Sequence, residues 1–236
     1  NDHDNKLKIL QTLKKSELAR GELPYGQQGE DTLDQTIAEV DDFAQRLFSH
    51  QQDQQESQLD INLKFDDLKV NLSGKVNRIF GDNYLPYHLG GNSFKHEFTN
   101  TINYLALCQE HNLSMFYQVL SKNEAMNPTA LSQERAQQHL KDLVKLYLTG
   151  LKKPLPFLPD CFNEFLKKKD TEEAFKAASK KWYPDKYSDF ESPSENEANS
   201  LCFGSQFPGD NPHFQEAVQS SFQEIKDIHN EVWGKS

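Results

Sequence analysis

An acid, a spacer and a lysine stand together at Asp67, Leu68 and Lys69. Metal-dependent nucleases use this spacing to set a divalent cation beside an activated water, the carboxylate holding the metal and the lysine orienting the water. Asp60 offers a second carboxylate. On an extended segment Leu68 points inward, so Asp67 and Lys69 project together. Other chemistry-bearing patterns are broken. His96-Glu97 begins a zinc-binding HExxH helix, but Asn100 stands where its second histidine belongs. No GxxxxGK[ST] phosphate loop and no GxSxG elbow occurs. Cys108, Cys161 and Cys202 are isolated and odd in number. They encode neither a disulfide framework nor a CxxC zinc site, and they fit a reducing cytoplasm.

The elements that must position these residues follow from periodicity. Leu7, Leu10, Leu13 and Leu18 predict an opening helix, which "RGELPYGQQGE" (Arg20 to Glu30) breaks. Asp31 or Thr32 is then expected to cap a helix in which Leu33, Ile37, Val40, Phe43, Ala44, Leu47 and Phe48 share a face. A polar loop leads to Leu59, where the period changes to two. Leu59, Ile61, Leu63 and Phe65, then Leu68, Val70 and Leu72, predict an antiparallel hairpin. Its second strand runs past a bulge at Gly74 to Val76 and Ile79. A Gly81–Asn83 turn and a short third strand, "YLPYHL" (Tyr84 to Leu89), follow, with Pro86 marking irregular pairing. Ser93 is expected to cap a helix facing inward through Phe94, Phe98, Ile102, Leu105 and Ala106, and Asn112 to Leu120 reads as a buried strand.

Further on, a helix is expected over Thr129 to Thr149, facing inward through Ala136, Leu140, Leu143, Val144, Tyr147 and Leu148 and stopped by Gly150. An extended proline segment covers Lys152 to Pro159. Short helices are expected from Cys161 to Lys168 and from a Thr171 cap to Trp182, then a loop over 185–212 and a helix from Phe214 to Val232. The division is residues 1–30 as helix and loop, 31–120 as an α/β core, and 121–236 as a helical extension packed on it. Helix, three strands, helix, strand is the order of a restriction-endonuclease-like, or PD-(D/E)XK nuclease-like, α/β core.

That fold expects its metal site on the second and third strands. Nucleases attached to helicases read Gly-x-x-Asp-Arg on the second strand; here Asn77 replaces the acid, beside Arg78. An amide offers one neutral oxygen in place of two anionic ones, which removes most of the affinity for a hard dication. On the third strand Pro86 replaces the second acid and His88 the lysine. A lone His is ordinarily a surface residue. No catalytic residue, metal or cofactor is therefore expected in this domain. Asp60, Asp67 and Lys69 are left as the alternative active site, one strand too early for the fold.

Composition narrows the setting. The chain has 236 residues, a net charge of −10 and only 36% apolar residues, with mean hydropathy −0.81. Sixteen Phe, 8 Tyr and 2 Trp nonetheless argue for a packed core over disorder. No apolar run is long enough to span a membrane. A start at Asn1 is read as a fragment of a longer chain. The acidic balance disfavours a uniformly basic nucleic-acid grip. Between Lys141 and Lys186, however, eleven bases face seven acids. This stretch is either a solvated helix face or a DNA-facing strip of Lys141, Lys145, Lys152, Lys153, Lys167, Lys168, Lys169, Lys180 and Lys181. Phe157, Phe203 and Phe207 exceed what local periodicity can bury and are candidate interface residues.

"GELPYGQQGE" (Gly21 to Glu30), "LSGKVNRI", "FKHEFTNTINYLAL" and above all "LVKLYLTGLKKPLPFLP" (Leu143 to Pro159) resemble the C-terminal domain of the RecC family. The helix carrying Ala174, Ala178 and Trp182 fits the family's Ala-to-Trp pattern, and Asn100 and Tyr104 echo a Gln-x-x-x-Tyr box of active nucleases. RecC is the gamma chain of exodeoxyribonuclease V, the bacterial RecBCD helicase-nuclease. The resemblance implies a nuclease-like domain that has lost its catalytic acids, in a parent complex that is ATP-dependent. Its implied partners are the rest of RecC, RecB, RecD, and duplex and single-stranded DNA, in the cytoplasm. The implied work is scaffolding and helping to split and channel DNA during double-strand break repair and recombination. Chi recognition is expected in other parts of RecC. An unrelated acidic protein-interaction adaptor is the remaining alternative.

Overall fold

The computed structural model describes residues 2–48, 53–65, 67–90, 93–111, 113–115, 117–119, 127–185 and 191–234. The chain divides into two compact units, residues 1–51 and 52–236. The boundary falls inside the 31–120 segment drawn from the sequence.

The first unit is a pair of helices, α1 (Asp2–Ala19) and α2 (Gln27–Phe48). Helix α2 starts four residues before the expected cap. The reason is local: Gly26 turns the chain at φ 72°, and Gly29 lies so close to the preceding loop that a Cβ there would stand 2.0 Å from the Pro24 carbonyl oxygen. Thr32, expected as a cap, instead donates its hydroxyl to the Gln28 carbonyl inside the helix (2.8 Å). Leu33 and Phe43 are buried, but Val40 is exposed.

The second unit begins with the hairpin of β1 (Gln54–Lys64) and β2 (Lys69–Phe80). Strand β1 starts five residues before Leu59, because the polar residues Gln54 to Gln58 also pair with β2. Leu59, Ile61 and Leu63 are buried on the inner face, while Leu68 lies in the turn and is 45% exposed. Gly74 is not a bulge: it pairs in register with Leu59. The irregularity sits three residues later, where Glu56 alone faces Asn77 and Arg78. Arg78 adopts φ 66°, the only positive-φ residue among those described that is not glycine. The extra residue explains why Val76 and Ile79, three apart, both reach the core.

After a turn at Gly81 and Asp82, the expected third strand is split in two. Strand β3 (Asn83–Tyr84) pairs with β2, and β4 (Tyr87–His88) leaves that sheet after Leu85 and Pro86, both buried. Proline has no amide hydrogen for a ladder, so the break falls there. Helix α3 (Phe94–Leu107) crosses over to β5 (Ser114–Met115), parallel to β3, and β6 (Gln118–Val119), parallel to β4. The main sheet runs β1-β2-β3-β5 and the small one β4-β6.

The remaining helices are α4 (Gln133–Lys152), α5 (Pro159–Leu166), α6 (Thr171–Trp182), α7 (Glu197–Phe203) and α8 (Gln215–Trp233). Helix α4 starts at a Ser132 cap rather than at Thr129, and it runs through Gly150. Helix α6 is capped by Asp170, whose carboxylate accepts from the Glu173 amide (2.9 Å), one residue ahead of the expected Thr171. Helix α7 lies inside the expected loop.

Two apolar clusters hold this unit. One joins the inner face of the hairpin and α3 to α4 and to Ile228, Val232 and Trp233 of α8. The other gathers Phe94, Phe162, Phe165, Trp182, Phe203, Phe207 and Phe222. Burying each large side chain contributes about 1.5–3 kcal/mol relative to exposure. The structure is thus mixed α/β, a small sheet among eight helices within the described residues.

Candidate functional site

The β2 bulge, the β3–β4 break and the outer face of α3 meet at a cleft of about 310 Å³. The bulge turns Asn77 and Arg78 toward it. Strand β4 contributes Tyr87 and His88. Helix α3 supplies His96, Asn100 and Asn103, which lie four and three residues apart and so share a face. Tyr84 and Tyr117 form its floor.

Arg78 is fixed in place. Its guanidinium donates to the Tyr87 carbonyl oxygen (3.0 Å) and lies over the Tyr87 ring, 4.0 Å from the centroid. The His88 and His96 rings stack 3.6 Å apart. Partial burial, with His88 and Lys95 adding to it, holds the His96 imidazole below its ordinary value. Asn103 donates to the Tyr84 hydroxyl (3.1 Å). Burial raises the Tyr84 phenol, and burial with the Glu97 carboxylate nearby pushes Tyr117 up to about 12. Both phenols are therefore neutral donors at neutral pH.

Helix α3 is anchored on its other side by a buried polar seam. The Glu97 carboxylate and His229 Nε2 of α8 are 2.7 Å apart, and Trp233 Nε1 donates to the Thr101 hydroxyl (2.9 Å). Glu97, Thr101 and His229 are all buried, while Ile102, expected to face in, is 39% exposed. Nearby, Arg135 of α4 makes two 2.6 Å bonds to Glu231. Burial lowers the His139 imidazole. Its Nε2 lies 3.2 Å from the Glu231 carboxylate.

Of the residues singled out from sequence, Asn77 and His88 share this cleft. Pro86 is buried and does not line it. Asn100 lines it, whereas Tyr104 is buried apart from it, its phenol raised to about 12 by burial. Arg78 and His96, noted in the sequence but given no place in a site, also line the cleft, as does Asn103, which the sequence reading missed. Arg78 adjoins Asn77, and the spacing of His96, Asn100 and Asn103 is a helical stripe, so both signals were present.

The alternative triplet does not assemble. Asp67 sits in the hairpin turn, not on a strand, and the exposure of Leu68 removes the alternation that was to align Asp67 with Lys69. Asp60 pairs in register with Ser73, four positions from the Lys64–Lys69 pair, which is roughly 13 Å along a strand. Its carboxylate accepts instead from Asn71.

The lysines of the expected strip are distributed over several elements. Lys141, Lys145 and Lys152 lie on α4, Lys153 at its end, Lys167, Lys168 and Lys169 between α5 and α6, and Lys180 and Lys181 in the last turn of α6. Lys145 pairs with Asp142 and Lys167 with Glu164. Phe203 and Phe207 are buried in the Phe-rich cluster and offer no exposed surface. Phe157 is half-buried, packed against the rings of Phe94, Phe98, Phe162 and Phe222. Phe203 and Phe207 fold back on the chain's own core because α7 ends at Phe203 and a short 3₁₀ turn (Pro208–Asp210) follows Phe207.

The donor set of the cleft is carboxamide, imidazole, phenol and guanidinium, with no carboxylate among its lining residues. Such a set does not fit a hard divalent cation, which needs anionic oxygens. Among the described residues, no group of three His, Cys, Asp or Glu side chains is placed to hold a metal. A family model described as the RecC C-terminal domain matches residues 5–170. No curated protein matches the chain.

Proposed function

The chain belongs to the RecC C-terminal domain family, and from this premise we propose that it is a non-catalytic, nuclease-like domain of the RecC subunit of RecBCD. In this reading the domain scaffolds RecB and RecD and helps to split and channel duplex DNA during double-strand break repair. The hairpin, third strand, crossover helix and parallel strand support a restriction-endonuclease-like ancestry for residues 52–119. A cytoplasmic setting is part of the same proposal, and no described helix is long and apolar enough to cross a membrane.

The observation that carries the reading is Asn77. It stands on the second strand and lines the cleft, at the position this reading gives to the lost metal-binding acid, and no lining carboxylate compensates for it. The test is cleavage of linear and single-stranded DNA by the purified chain with Mg²⁺ or Mn²⁺. No cleavage is expected, and Asn77→Asp alone is expected to leave the chain inactive, since Pro86 and His88 still deny the site a second acid and a lysine. Metal-dependent cleavage abolished by Asp67→Ala would refute the reading. Co-purification with RecB and RecD tests the scaffolding role separately.

A further inference from the structure

We propose that the cleft between the β2 bulge and α3 is a binding site for phosphoryl oxygens, presented either by a nucleic-acid phosphodiester or by free phosphate. The proposal rests on the non-catalytic reading of the same cleft and names what the site would hold without cutting it.

Three observations support it. First, the polarity is that of an anion site. The side chains of Asn77, Arg78, His88, His96, Asn100 and Asn103 all bring N–H donors to one concave surface, and no carboxylate competes for them. Replacing an acid by Asn77 removes a cation ligand and also adds two donors.

Second, the guanidinium of the cleft is placed to take a ligand. Among the described residues, no carboxylate lines the cleft beside Arg78. One of its five N–H groups is spent on the Tyr87 carbonyl, and the Tyr87 ring fixes the plane of the guanidinium. The remaining N–H groups keep the fork geometry that matches phosphoryl oxygens.

Third, Arg78 is held at φ 66° in a bulge. A left-handed conformation costs a residue with a Cβ roughly 1 kcal/mol or more. A glycine would relieve it. Glycine stands four residues earlier, at Gly74, in a regular pair that does not need it. The strain is thus kept at the residue that delivers the guanidinium.

The experiment uses the full chain in metal-free buffer, following the His88 and His96 ring proton signals by NMR. The probes are inorganic phosphate and a short oligothymidylate. Saturable shifts of both histidines are expected, and Asn77→Asp is expected to weaken the response about tenfold by setting a like charge against the anion. Asn77 is exposed, so this variant leaves the fold intact by circular dichroism. Arg78→Lys, which keeps charge but loses the fork, is expected to weaken binding several-fold. Shifts with oligothymidylate alone assign a phosphodiester, and shifts with phosphate as well assign the site to phosphate generally. No shift with either probe, or unchanged affinity in Asn77→Asp, overturns the proposal. Cleavage of the oligothymidylate would instead overturn the non-catalytic reading while leaving the binding result standing.

Discussion

Removing the Glu97 carboxylate should loosen the whole second unit and, with it, the cleft. Glu97 is 6% exposed and its partner His229 is 2% exposed, with 2.7 Å between them. His229 Nδ1 has no hydrogen-bond partner, so Glu97→Ala leaves the ring buried without either bond. Stranding a buried polar group costs about 1–3 kcal/mol, and losing a hydrogen bond to a charged group about 1.5–3. A loss of about 2–4 kcal/mol is the expected range. For a unit of this size each kcal/mol lowers the melting temperature by about 2–4 °C, giving a fall of roughly 4–16 °C. Glu97→Gln, which keeps an acceptor, should lose less than half of this. The assay is thermal unfolding by circular dichroism with a double-mutant cycle through His229→Ala. If the two single variants add to within about 0.5 kcal/mol, the residues are not coupled and the reasoning fails. The His96 ring signal should also broaden in Glu97→Ala, because His96 is the adjacent residue on the same helix.

The fold should weaken as pH falls below about 6.5, because the folded state holds His139 below the 6.5 of the unfolded chain and so binds fewer protons. Stability from this group is complete above 6.5 and declines toward the lower folded value; in His139→Gln the melting temperature should lose that slope. Glu231, depressed chiefly by its bonds to Arg135, adds stability that is present above 4.5 and lost as pH falls through its folded value, a second step that Arg135→Ala should remove. Phe207→Ser should destabilise by at least 3 kcal/mol in urea titration, since Phe207 is 1% exposed. Tyr147→Ser, at a site 65% exposed, should change stability by less than about 0.5 kcal/mol.

The hairpin and the crossover helix to a further strand were legible in the sequence because apolar alternation and turn residues act locally; the register was not, since Leu68 falls in the turn and Gly74 pairs regularly. That Asn77 lies on the second strand was legible for the same reason, and the structure places it in the lining of the cleft. The bulge was not. Glycine is where a bulge is ordinarily cheapest, yet the chain keeps Gly74 regular and strains Arg78 instead. The polar seam was also hidden. Glu97, Thr101 and His229 read as surface residues by type, and only pairing across α3 and α8 makes their burial tolerable. By the same token Ile102 and Tyr147 read as core and lie outside it. Helix α7 escaped notice because "ENEANSLCF" offers few apolar residues to set a period.

The cluster that joins Leu59, Ile61 and Leu63 to Ile228, Val232 and Trp233 has a consequence for how the chain is made. The strands emerge from the ribosome long before α8: Glu97 and His229 are separated by 132 residues. At roughly 5–20 residues per second that interval is about 7–26 s, far longer than a hairpin needs to form. For those seconds the hairpin face is covered only by α3 and α4, and the sides of those helices that α8 will bury stay open, an adhesive surface without its lid. The second unit is therefore a late-closing module whose native packing waits on α8, and stalling translation between α7 and α8 would leave its apolar face available to chaperones or to other nascent chains.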